Sequence, residues 1–294
     1  MTSPEFATSS AGRGLKRSPS SPRTLFSSIM TGVATLCAVL ALIPLAAVLI
    51  YVIKNGFARL DFAAFTQLPP SPGLEGGGFG NALVGTLLTV GIAALLSIPF
   101  GIIGAIYLSE FGRDTKLENA VNFLTNVLSG VPSIVIGAFA YSAIVLRTGT
   151  FSAIAGGFAL AVLMLPTIVR TSAEALESVP NEFRQAAIGL GSTRIQTTLQ
   201  IVLPAAIPAI ITGIMLALAR AAGETAPILF TASFNRFWAT SVWQPIATMS
   251  RLVFDFATSP FKAQQELAWA GSLVLVALVL ITSILSRMVI KRRK

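Results

Sequence analysis

The sequence predicts an all-α integral membrane protein with six transmembrane helices. Three observations predict it. Hydrophobic residues make up 54% of the 294 residues and charged ones only 11%. The mean hydropathy of +0.78 lies outside the range of soluble domains. The apolar residues also fall in separate blocks, where a soluble chain interleaves them with polar ones.

Taken in order, residues 1–28 are rich in Ser, Pro, Arg and Lys without apolar periodicity, and read as a disordered basic tail. The next apolar run, Ile29 to Ile53, is roughly 25 residues long, beyond a signal-peptide core of about 7–15 and enough to cross a bilayer as a helix. Five more blocks can each span: Ala82 to Leu108, Val121 to Leu146, Phe151 to Val169, Ala206 to Ala226 and Ala268 to Ile290. Pro44, Pro99, Pro132 and Pro166 lie inside these blocks, which lipid tolerates where neighbouring helices satisfy the freed carbonyls. Gly101, Gly104, Ala105, Gly130 and Gly137 favour close helix contact. The expected organisation is a tail over 1–28, a six-helix membrane domain over 29–290 and a basic tail over 291–294.

Orientation is set by the basic residues. An even number of spans puts both termini on one side. Arg13, Lys16, Arg17 and Arg23 stand before the first span, and Arg287, Lys291, Arg292, Arg293 and Lys294 close the chain. With Arg113, Lys116, Arg170, Arg184 and Arg194 in the loops on that side, the count is fourteen basic residues against six, and Arg220 is left in the membrane. The positive-inside rule makes that side the cytoplasm. The net charge of +9 therefore reflects orientation, and with no basic stripe of interleaved aromatics it does not point to nucleic acid. Cys37 is the only cysteine and there is no histidine, which excludes a disulfide framework, a thiol metal site and His-based catalysis. No G-x-x-x-x-G-K-[ST] loop occurs either, so any nucleotide hydrolysis belongs to another subunit.

Residues 170–205, between spans four and five, are the most informative polar stretch. They contain EFRQAAIGLGSTRIQTTLQIVLPAA, where residues 182–190 have the composition of a short helix and Gly191 can end it in a left-handed cap. Small Ala186 and Ala187 would let another surface approach. The segment resembles the EAA loop of bacterial ABC importer permeases: E-A-A, three residues, Gly, nine residues, I-x-L-P. Gln185, Ala186, Ala187, Gly191, Ile201, Leu203 and Pro204 stand at those positions, and only Gln185, in place of Glu, departs. The resemblance implies that this helix docks on a cytoplasmic ATPase. An amphipathic helix lying on the inner leaflet predicts neither the glycine nor the closing spacing.

Within span five, LALARAAGETAPILF puts Arg220 and Glu224 four residues apart, on one face of a continuous helix. Counted from Ala206 at about 1.5 Å per residue, Arg220 lies roughly 21 Å along the span, past the middle of a ~30 Å core. Charges at such depth face a bundle interior or a water-filled path. A guanidinium holds phosphate through two parallel hydrogen bonds, so Arg220 is a candidate for the substrate path, with Glu224 moderating its hold. A purely structural pair is the alternative. Arg170 and Glu174 repeat the spacing at the end of span four, where a charge pair near the headgroups is the alternative.

Bare chemistry here says anion. YLSEF at 107–111, LSGVPSIVIG at 128–137 and GETAPILFTA at 223–232 resemble the phosphate importer permeases of the PstA type, and Ala226–Pro227 separates them from the sister PstC type. The resemblance implies a six-helix type I importer permease (MetI-like) fold in the bacterial inner membrane and a permease subunit, not an enzyme. It also implies partners: a PstC-type permease, two PstB-type ATPase subunits that use the ATP, and an extracytoplasmic phosphate-binding protein. This chain itself would bind no cofactor and no metal. The other readings are a permease for sulfate or molybdate, a polytopic membrane enzyme, and a scaffold that reports phosphate status.

Overall fold

The computed structural model describes residues 22–112 and 115–291, and among these the secondary structure is entirely helical. The rest of the two expected tails, and Arg113, lie outside the described residues. Two compact units divide the chain between Tyr51 and Val52. The first holds most of α1 (Pro22–Phe57). Leu36, Ile43 and Ile50 are exposed along it, as are most of its apolar side chains, an arrangement that lipid satisfies and water does not. This helix begins at Pro22, so the last residues of the segment read as a disordered tail are helical.

The second unit contains the short α2 (Phe62–Thr66), α3 (Gly80–Phe111), α4 (Lys116–Gly130), α5 (Ser133–Thr148), α6 (Ala153–Glu177), α7 (Asn181–Gly189), α8 (Arg194–Gly223), α9 (Ala226–Thr231), α10 (Met249–Ala257) and α11 (Lys262–Lys291). Including α1, five of the described helices are long and apolar enough to cross a membrane singly. The expected span Val121–Leu146 is not one of them. It is α4 and α5, which pass together as one span broken by a 105° bend and bring the number of spans up to the six expected. The cause is local. Pro132 lacks an N–H, and its ring drives Val131 out of the helical region to φ −72°, ψ 129°.

The helices are also longer than the apolar blocks that announce them. α6 runs on to Glu177 and α8 starts at Arg194, so most of the expected loop 170–205 is helical. The 30 residues of α8 extend about 45 Å, some 15 Å more than a hydrocarbon core, so a polar overhang is built in. The final turn of α3 (Tyr107–Phe111), the middle of α5 (Tyr141–Val145) and the early part of α8 (Thr198–Val202) are π-helical turns.

The core is built around α6. Its Leu160, Met164 and Ile168 are fully buried together with Val202 and Ile210 of α8. Small residues bring the neighbours close: a methyl group on Gly101 of α3 would lie 2.6 Å from Ile168 Cγ2, and one on Gly213 of α8 would overlap Thr171 of α6. In lipid this packing supplies the cohesion that water supplies elsewhere. A second buried cluster, with Phe79, Met249, Leu252 and Leu267, joins α3, α10 and α11. Gly213→Leu should therefore cost about 1–3 kcal/mol through overpacking. Thermal unfolding of the detergent-solubilised protein should show a lower midpoint, while Gly130→Ala, where nothing lies within 4 Å, should leave it unchanged.

Candidate functional site

Helix α7 carries the EAA-like residues. Glu182 in its first turn favours the positive end of the helix. Its C-terminus closes in a Schellman arrangement: Ser192 N–H donates to Ala187 O at 3.1 Å and Gly191 N–H to Ile188 O at 2.9 Å, with Gly191 at φ +91°. The expected left-handed glycine cap is present, at the expected position. Two residues on, Thr193 and Gln196 form a reciprocal capping box that starts α8. The turn between α7 and α8 is thus specified on both sides.

The residues expected to meet a partner separate into two groups. Gln185, Ala186, Gly191 and Pro204 are exposed, and Ile201 and Leu203 are half-buried. Ala187 is buried inside the chain itself, so it does not share the exposed surface with Ala186. Phe183, Ile188, Leu190 and Ile195 are exposed beside them, Leu190 at 89%.

The centre that the motifs did not disclose is an ion pair between α7 and the end of α3. Arg184 Nη2 lies 2.7 Å from Glu110 Oε1, and the two side chains are only 15% and 9% exposed. Arg184 Nε–H is shared between both Glu110 oxygens, Nη1 donates to Val179 O and Asn181 Oδ1, and Nη2 also donates to Leu176 O. All five guanidinium donors are engaged. The carbonyls of Leu176 and Val179 belong to the last turn of α6 and the linker after it, so one side chain fastens α7 to both α3 and α6. The only signal for it in the sequence was Glu110, a charge at the end of an apolar block.

The charge pairs expected in the substrate path are present with different surroundings. Arg220 Nε is 3.6 Å from Glu224 Oε1. The two do not share a continuous helix: α8 stops at Gly223, and Glu224 is extended at φ −73°, ψ 127°, with its carbonyl accepting from Ser250 Oγ at 2.9 Å. Gly223, with Pro227 soon after it at the start of α9, was the signal for this stop and restart. Arg220 accordingly stands in the last turn of α8. Arg170 and Glu174 are also paired, at 3.5 Å, with side chains 63% and 68% exposed. Since Gly213 of α8 abuts Thr171 of α6, the two arginines lie about 10 Å apart along the bundle axis. Arg220, with 62% of its side chain exposed, is not enclosed by this chain. At membrane depth such a charge faces a path or another chain, not lipid. Two of the resembling segments also meet, because Gly137 of α5 packs against Pro227 of α9.

A helical membrane bundle that fastens an outward-facing helix to its spans, and leaves charged pairs open beside them, is the membrane component of a transport system. The chain belongs to the family of binding-protein-dependent transport system inner membrane components, whose pattern matches residues 97–294. It is similar to the phosphate transport system permease protein PstA of Yersinia pestis, with 39% identity over 84% of each chain. Against the PstA protein of Haemophilus influenzae the identity is 38%, over 92% of this chain and 96% of the relative. Among solved structures, a chain of a bacterial alginate ABC transporter matches with a TM-score of 0.64 and 15% identity over 93% of this chain and 99% of that one. A chain of the MetNI methionine ABC transporter matches with a TM-score of 0.59 and 18% identity over 73% and 93%. These likenesses establish the importer-permease, MetI-like fold.

Breaking a buried ion pair by removing one partner costs about 3–5 kcal/mol. Glu110→Gln and Arg184→Gln should each lower the unfolding midpoint of the solubilised protein and expose the 178–193 region to protease. The exchange Glu110→Arg with Arg184→Glu should recover only part of this, because Val179 would lose its side-chain donor and Leu176 one of its two donors.

Proposed function

We propose that this chain is a permease subunit of an ATP-driven phosphate importer, forming half of the transmembrane path. It is a transporter subunit, not an enzyme. The single observation that carries the substrate path is Arg220, open to the outside of its own bundle at the end of a spanning helix, in a chain whose relatives are named for phosphate transport. Guanidinium and phosphate match through paired, charge-assisted hydrogen bonds. Glu224 competes for the same donor, which keeps the hold on a passing anion weak enough for release. Arg170 with Glu174 repeats this arrangement at a second depth.

The other half of the path is a sister permease of the PstC type, whose surface covers the charges this chain leaves open. Both termini and α7 lie on the cytoplasmic side, in agreement with the distribution of basic residues. There α7 docks through Gln185, Ala186 and the exposed apolar side chains on one of two PstB-type ATPase subunits, while an extracytoplasmic phosphate-binding protein delivers substrate to the other face. Closure of the ATPase pair around ATP displaces α7. Because Arg184 ties α7 to α3 and α6, the displacement passes into the helices that line the path and alternates the side to which it opens.

Two variants test this. In proteoliposomes of the assembled transporter, Arg220→Gln should reduce radiolabelled phosphate uptake by roughly tenfold or more, the loss of a charged hydrogen bond worth about 1.5–3 kcal/mol. Ala186→Glu adds a charge at an exposed position and should keep the unfolding midpoint while abolishing the stimulation of ATP hydrolysis by the loaded binding protein. Normal coupled transport in Ala186→Glu would sink the docking assignment.

A further inference from the structure

Behind α7 lies a cavity of about 200 Å³, between α7, the end of α3 and the first turns of α8. A water occupies about 30 Å³ in the liquid, so the space admits several waters or a small oxyanion with part of its hydration. Its polar lining is unbalanced. Arg184 and Glu110 neutralise each other, and the donors of Arg184 are all engaged. Arg194 lines the same space, and its guanidinium donates to no group among the described residues, which leaves the lining with one uncompensated positive charge. Asn181 turns its Oδ1 to Arg184, leaving its amide N–H groups as donors. Thr197 is only 3% exposed, and its Oγ1 has no hydrogen-bond partner, although a threonine on a helix ordinarily returns its proton to a carbonyl one turn back, as Thr198 does to Arg194 O. An orphaned buried hydroxyl is costly unless something in the cavity meets it.

We propose that this cavity is a binding site for inorganic phosphate on the cytoplasmic side, distinct from the transport path, through which imported phosphate slows its own transporter. The proposal rests on the orientation and substrate given under Proposed function. An oxyanion supplies the acceptors that Arg194, Asn181 and Thr197 lack. Glu110 selects among oxyanions: phosphate near neutral pH keeps at least one P–O–H that can donate to a carboxylate, whereas sulfate has none and meets only repulsion there. With phosphate bound, Asn181 of α7 and Arg194 and Thr197 of α8 share one ligand. The turn between these helices is then held, and α7 yields less readily to the ATPase.

The test uses the assembled transporter in proteoliposomes loaded with ATP and either no added anion, millimolar phosphate or millimolar sulfate, with binding protein and radiolabelled phosphate outside. Internal phosphate should slow the initial uptake of the wild type about fivefold, the lower end of ordinary coupling between sites, and sulfate should not. Thr197→Val, close in shape, and Arg194→Gln should not lower the unfolding midpoint, and should transport normally into phosphate-free vesicles and lose most of the inhibition. Equal inhibition of both variants would place the effect at the ATPase and overturn the proposal. A wild type indifferent to internal phosphate would overturn it too, leaving a cavity that holds water only. If Arg194→Gln transports poorly even into empty vesicles, Thr197→Val decides alone. Absence of uptake by the wild type into phosphate-free vesicles would instead refute the importer assignment itself.

Discussion

One guanidinium group constrains the architecture on the side of the bundle that carries α7. A short helix of nine residues has little stability of its own in water and no apolar face long enough to hold it against a neighbour. Arg184 supplies what packing cannot, because a planar fork with five donors can satisfy a carboxylate and the carbonyls of Leu176 and Val179 at once. The Leu176 carbonyl lies in the last turn of α6, where the i to i+4 ladder runs out. The same side chain therefore caps α6, neutralises Glu110 and positions α7. Force applied to α7 meets three elements and not one.

The open charges on α6 and α8 obey a different logic. Salt bridges as exposed as Arg170–Glu174 contribute little to the stability of a soluble protein. In a membrane they are intolerable unless covered by protein or water. Their exposure in a single chain thus describes an incomplete object, whose missing surface is polar enough to accept them. The exposed apolar residues around α7 make a corresponding demand outside the lipid.

Much of this was legible in the sequence, for reasons that can be named. Hydropathy accumulates over a block, so the spans could be read, and Gly191 could be read because a backbone at φ +91° excludes most other residues. Hydropathy reports contact with lipid, however, and not helicity, which is why the polar overhangs of α6 and α8 passed for a loop. The break at Val131–Pro132 was hidden for a similar reason: Pro99 and Pro166 sit inside unbroken helices, and what distinguishes Pro132 is the tertiary seat of α5 against α9. Ala186 and Ala187 looked equivalent as small residues, but adjacent positions on a helix point about 100° apart, and here Ala186 faces outward while Ala187 turns into the chain. The pairing of Glu110 with Arg184 joins residues 74 positions apart, beyond the reach of any local pattern.

The π-helical turn at the end of α3 has a further consequence, one of angular phase. Gly112 N–H reaches back to Tyr107 O at 2.7 Å, so one residue more than usual is taken up in that turn. An added residue rotates every later side chain by about 100° about the helix axis. Glu110 lies inside the turn and so is out of step with the stripe that the preceding 27 residues of α3 present to the core. The offset works like a keyway cut at the end of a shaft, and the analogous turn in α8, just past Thr197, resets the phase between the overhang and the span. The face each long helix shows to lipid and the face it shows at its polar end are thereby set independently.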